Sequence, residues 1–208
     1  MNIKSNVLKR FIIYMAILTF VMFTVWGFVR SFMDRPPGDY ETEVCDIRLK
    51  DKKYDQALAA ANKALSKSSN HRGAVMCKAL VFISEKKYTE ADNVLTNLIN
   101  FLESNLEKDD KTGIGTLAAA YANRGIIKDR NKNYTGALED YVRALGIDNK
   151  AVAGPGLGTI ILNYKFKSSS VKERALYLNE QLQLPENERV LSIKELDEGQ
   201  VMHKPGKL

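Results

Sequence analysis

Histidine and cysteine are scarce. Two cysteines in 208 residues exclude a disulfide-framework mini-protein and any four-cysteine zinc site. Two histidines, His71 and His203, leave little for metal ligation or acid–base work. His71 is expected in an exposed turn and His203 in a C-terminal tail. No HExxH, GxSxG, Walker A or Rossmann fingerprint occurs. The glycine-rich Gly154–Gly158 stretch has no Lys-Ser/Thr after it and reads as a turn. No catalytic, cofactor-binding or metal-binding residues are therefore expected, and no small-molecule substrate.

Charge of one sign is also lacking over most of the chain. The net charge is +6. Residues 1–33 carry Lys4, Lys9, Arg10 and Arg30 and no acid, which leaves 27 bases against 25 acids in the rest. The basic balance thus belongs largely to the N-terminus, and the interleaved charges beyond it argue against a nucleic-acid-binding face.

What the N-terminus does have is a run of 19 uncharged residues, Phe11 to Val29. As a helix it would span roughly 28 Å, close to the hydrocarbon thickness of a bilayer. Tyr14 and Trp26 lie toward its two ends, where amphipathic rings favour the interface. The run is longer than a signal-peptide core, and the Arg30–Asp34 flank offers no small-x-small cleavage site. An uncleaved membrane anchor over residues 11–29 is expected. Bases before the span outnumber those after it by a small margin, so the N-terminus is expected in the cytoplasm and the remainder outside, in the periplasm of a bacterium. Two prolines, Pro36 and Pro37, then break the helix and make a short linker over residues 34–39.

The rest repeats. Lys52-Lys53-Tyr54-Asp55-Gln56-Ala57 returns 34 residues later as Lys86-Lys87-Tyr88-Thr89-Glu90-Ala91. It returns again as Lys132-Asn133-Tyr134-Thr135-Gly136-Ala137, after 34 residues plus a 12-residue insertion. Small residues stand where helix axes would approach (Cys45, Ala79, Gly125; Ala57, Ala91, Ala137), with Tyr121, Tyr134 and Tyr141 as large partners in the third copy. This pattern, over about residues 38–150, resembles the tetratricopeptide (TPR) family. The resemblance implies helical hairpins stacked into an α-solenoid, each covering its neighbour's apolar face. The insertion is expected to lengthen the second helix of repeat two and then to form a polar loop over Lys108–Gly115.

Beyond residue 150 the pattern fades. Ser170-Val171-Lys172-Glu173 reads as a capping box opening a helix rich in leucine. Together with the apolar run Thr159–Tyr164 it suggests a degenerate fourth hairpin. The expected fold is thus all-α: one transmembrane helix (1–33), a linker, a TPR-like domain of three repeats plus that hairpin (40–184), and a polar tail (185–208). Cys45 and Cys77 fall in the first helices of adjacent repeats, at neighbouring rather than equivalent positions. Two small buried hydrophobes are favoured over a bridge, although a bridge is permitted outside the cytoplasm.

The resemblance also implies a concave groove lined by the first helix of each repeat and suited to a protein or peptide partner. Its expected contact residues are Met76, Leu80 and Ile83 in repeat two, and Ile126, Asp129 and Arg130 in repeat three. The alternative is that the C-terminal segment or the anchor covers them. A membrane-tethered scaffold or assembly factor for an envelope complex is expected, with a permanent accessory subunit of a membrane complex as the alternative.

Overall fold

A computed structural model of the chain describes residues 5–33, 35–149, 152, 170–193, 197 and 200. They divide into two compact units, one ending at Pro37 and one beginning at Gly38. The first unit is a single helix, α1 (Ser5–Met33). Within it Asn6–Arg30 is long and apolar enough to cross a membrane, with a mean hydropathy of 2.2 and none of that window buried. Two of its hydroxyls bond back to the helix's own carbonyls. Thr19 Oγ donates to the Met15 carbonyl at 2.8 Å, and Thr24 Oγ donates to the Val21 carbonyl at 2.8 Å. The Arg30 guanidinium lies 5.2 Å from the centre of the Trp26 ring.

The second unit is built of antiparallel helical hairpins. They are α2 (Asp39–Lys50) with α3 (Tyr54–Lys67), α4 (Arg72–Ser84) with α5 (Tyr88–Asn105), and α6 (Lys111–Arg130) with α7 (Tyr134–Asp148). A further helix, α8 (Val171–Gln183), packs on α7. The repeat pattern explains the stacking. On α3 the buried residues are Ala57, Ala61 and Ala64, spaced by four and three residues, so one narrow face meets its neighbours. On α5 the buried face is larger: Ala91, Leu95, Leu98, Ile99 and Leu102.

At Gly125 α6 and α7 approach closely. A Cβ added there would lie 2.6 Å from Tyr141 Cε1, and Tyr141 is itself fully buried. Gly125→Val is therefore expected to destabilise the domain by about 1–3 kcal/mol or more through overpacking. The check is the melting midpoint of the full chain by circular dichroism; an unchanged midpoint would mean that α6 and α7 do not meet at this position.

Each hairpin turns in the same way. Lys52, Lys86 and Lys132 have φ of 59°, 60° and 63°, and among the described residues they are the non-glycine positions in the left-handed region. That conformation costs a residue with a Cβ roughly 1–2 kcal/mol, so three equivalent lysines hold the same unfavourable backbone.

The insertion takes a different form from the one expected. α5 does run on to Asn105, but the polar loop shrinks to 106–110, because Lys111–Gly115 forms the first turns of α6. The Asp110 carboxylate caps these turns by accepting the Gly113 N–H at 2.7 Å. Gly113 lies directly against the ends of the Leu106, Arg72 and Asp110 side chains, so a Cβ there would require those side chains to move. Arg72 also pairs with Asp110 across the hairpins. The backbone N–H of Gly113, and then Arg72, hold the Asp110 carboxyl below its ordinary pKa.

Cys45 and Cys77 are bonded to each other and fully buried. The free packing role favoured from sequence is thus replaced by a covalent link between α2 and α4. His71 also departs from expectation. Its Nδ1 accepts the Ala74 N–H at 3.2 Å as the N-cap of α4, its Nε2 faces Asp39 Oδ1 at 2.8 Å, and its side chain is only 14% exposed. The expected capping box is present: the Ser170 hydroxyl accepts from Glu173 N–H, and the Glu173 carboxylate from Ser170 N–H. The Thr159–Tyr164 run, the Gly154–Gly158 turn and His203 lie outside the described residues.

Candidate functional site

The ends of α2, α4 and α6 meet the starts of α3, α5 and α7 along one edge of the stack, and there a groove of about 620 Å³ opens. Tyr54, Tyr88 and Tyr134, the first residues of α3, α5 and α7, supply its aromatic lining. Lys86, Arg130 and Lys132 supply its bases. Ser192, Asp197 and Gln200 from the C-terminal segment contribute as well. Arg130 lies over the Tyr88 ring at 5.9 Å. Burial, with the carboxylates of Asp129 and Asp197 nearby, pushes the Tyr134 phenol above its ordinary pKa, so it remains a hydroxyl at neutral pH.

The six residues expected at a concave groove divide. Ile83, Asp129 and Arg130 line this cavity. Met76, Leu80 and Ile126 do not; they are 0%, 4% and 1% exposed and belong to the main hydrophobic core. Asn123 donates to the Met76 sulfur at 3.5 Å from inside that core. Asp129 is also buried, and its partners show why. Arg174 of α8 grips both its oxygens, Nε and Nη2 each at 2.8 Å. Tyr141 O–H donates to it at 3.2 Å and Gln200 Nε2 at 2.9 Å. Arg174 Nη2 reaches on to the Leu191 carbonyl at 2.9 Å and to Asp197 at 3.0 Å. Burial, and then the charge of Asp129, push the Tyr141 phenol well above its ordinary pKa, which keeps it a donor.

Sequence reasoning missed this cluster. Arg174 and Asp129 are 45 residues apart, and no periodicity links them. The one available signal was an arginine at position 174, on the same face of α8 as Val171, Ala175 and Leu178, all buried. The cluster fixes the segment after α8 against repeat three and so makes one wall of the groove. A smaller apolar hollow of about 270 Å³ lies between α7 and α8, where Val142 and Leu176 are exposed.

No family model matches the chain, and no curated protein matches it. Among solved structures it is similar to the first TPR of Spaghetti (RPAP3) bound to the HSP90 peptide SRMEEVD. There the identity is 15% and the TM-score 0.50, over 71% of this chain and 94% of that one. It is also similar to the Arabidopsis OM64 TPR domain, at 18% identity and TM-score 0.45, over 55% of this chain and 84% of that one. The all-helical hairpin stack is a TPR-like fold.

Proposed function

We propose that this chain is a membrane-tethered interaction module, a scaffold or assembly factor for an envelope complex. In this reading α1 is the anchor and the hairpin domain holds a protein partner. The observation that carries it is the groove at the hairpin turns: three tyrosines beside three bases, on a TPR-like stack. Such a surface offers apolar contact and charge selection together. The solved TPR of Spaghetti holds a peptide of HSP90, which supports a protein or peptide as the class of partner here.

Tethering is supported by the exposed apolar surface of α1, including Phe11, Phe20, Trp26 and Phe28 at 56–76% exposure. In water such a surface is an aggregation liability; in lipid it is satisfied, as is the backbone of any helix. A location outside the cytoplasm is supported by the Cys45–Cys77 bond, since disulfides persist in oxidising compartments, and by the bases that precede α1.

Two measurements test this. Reporter fusions at Leu208 are expected to give active alkaline phosphatase and a dark fluorescent protein; the reverse pattern would place the domain in the cytoplasm. Purification of the full chain in mild detergent is expected to bring down a variable set of proteins. A single fixed stoichiometric complex would favour the accessory-subunit reading, and no partner at all would remove the interaction role.

A further inference from the structure

The internal repeats serve as a record of which side chains the turn edge keeps. At Lys52, Lys86 and Lys132 the backbone is left-handed, a conformation in which glycine or asparagine would be the relaxed choice. Lysine stands there three times nevertheless. Packing does not explain it: all three are exposed. Internal pairing does not explain it either, since among the described residues neither the Lys86 nor the Lys132 ammonium, nor the Arg130 guanidinium, has an ion pair. By contrast Lys53, Lys87 and Lys128 pair with Asp51, Glu85 and Asp140. The two carboxylates nearest the groove, Asp129 and Asp197, are both taken up by Arg174. The cations that remain face a cavity lined by Tyr54, Tyr88 and Tyr134.

We infer that this edge binds an extended acidic segment of a partner protein, carboxylates on the turn cations and apolar side chains on the tyrosine rings. The inference rests on the interaction-module reading above and specifies the partner's chemistry. Its spacing follows from the stack. Adjacent helices pack about 8–10 Å apart, and an extended chain advances about 3.3 Å per residue. Acids at every third residue would therefore meet successive turns. The insertion in repeat two lengthens the end of α5 and the start of α6, at the edge opposite these turns.

The glycine substitution makes the test clean, because Lys86→Gly and Lys132→Gly remove charge while relaxing the backbone. The probe is a labelled nine-residue peptide, blocked at both ends, with Glu at every third position and Leu and Ser between. It is titrated by fluorescence anisotropy into the full chain held in phosphatidylcholine nanodiscs. Wild type is expected to bind it, and to bind the Gln-for-Glu analogue about tenfold more weakly. The double glycine variant is expected to lose about tenfold in affinity, a few-fold for each rim charge, with a melting midpoint no lower than that of wild type. Any of these binding results would overturn the inference: no binding by wild type, equal binding of the Gln analogue, equal binding by the variant, or displacement of the peptide by phosphatidylglycerol vesicles. If the variant loses the peptide but still copurifies with the same proteins as wild type, the acidic-segment assignment fails and the interaction role stands on another face.

Discussion

Arg174→Ala is expected to cost the domain about 3–5 kcal/mol, because it strands a buried charge. The Arg174 side chain is 1% exposed and the Asp129 side chain 4%. Without the guanidinium, Asp129 retains two neutral donors, Tyr141 and Gln200, which cannot balance a carboxylate out of water. The loss has a place as well as a size. The Leu191 carbonyl and Asp197 are held by the same guanidinium, so amide-exchange protection should fall first in α8 and residues 190–193 and only then in α6. The removal of both charges separates the two contributions. Arg174→Met with Asp129→Leu should recover part of the stability, since an apolar pair can match a buried ion pair, but Tyr141, the Leu191 carbonyl and Asp197 lose a partner each. If the single Arg174→Ala variant melts like wild type, the C-terminal segment is not docked on repeat three.

The contrast between this cluster and the hairpins shows what the sequence made legible. Stacking of helices needs small and large residues at fixed intervals, so Tyr54, Tyr88 and Tyr134, with Ala57, Ala91 and Ala137, announced the hairpins and their register. Arg174 with Asp129 needed no interval at all. Such a pair is settled by how the fold's last helix lies on the third hairpin, which local pattern does not encode. The same limit explains the groove. Met76, Leu80 and Ile126 were placed on an open face by analogy with a solenoid of equal repeats, whereas here they are core residues. Gly113 and Gly115 were misread for a different reason. Glycine signals a turn by propensity, but the Asp110 cap opens α6 ahead of both glycines, and Gly113 sits inside it against the ends of the Leu106 and Arg72 side chains.

The disulfide gives the other large expected effect. Cys45 and Cys77 are 32 residues apart in sequence, and closing a loop of that length should stabilise the domain by about 3–4 kcal/mol in the chain-entropy account. Both cysteines are fully buried beside Ala57, Ala61 and Val81. Cys45→Ala with Cys77→Ala is therefore the fair comparison, since serine would strand a hydroxyl in that cluster. The double variant should show a lower melting midpoint, with α2 and α3 losing exchange protection before the rest, because this bond ties the first hairpin to the second. Burial also shields the sulfurs from an attacking thiolate, so the native protein should resist a reductant that quickly opens the bond in denaturant. In intact cells a maleimide-polymer label should leave the chain unshifted on a gel until it is denatured and reduced. Free thiols in freshly made protein would mean that the bond does not form where the domain resides, and the location outside the cytoplasm would lose its main support, whereas the hairpin stack would stand.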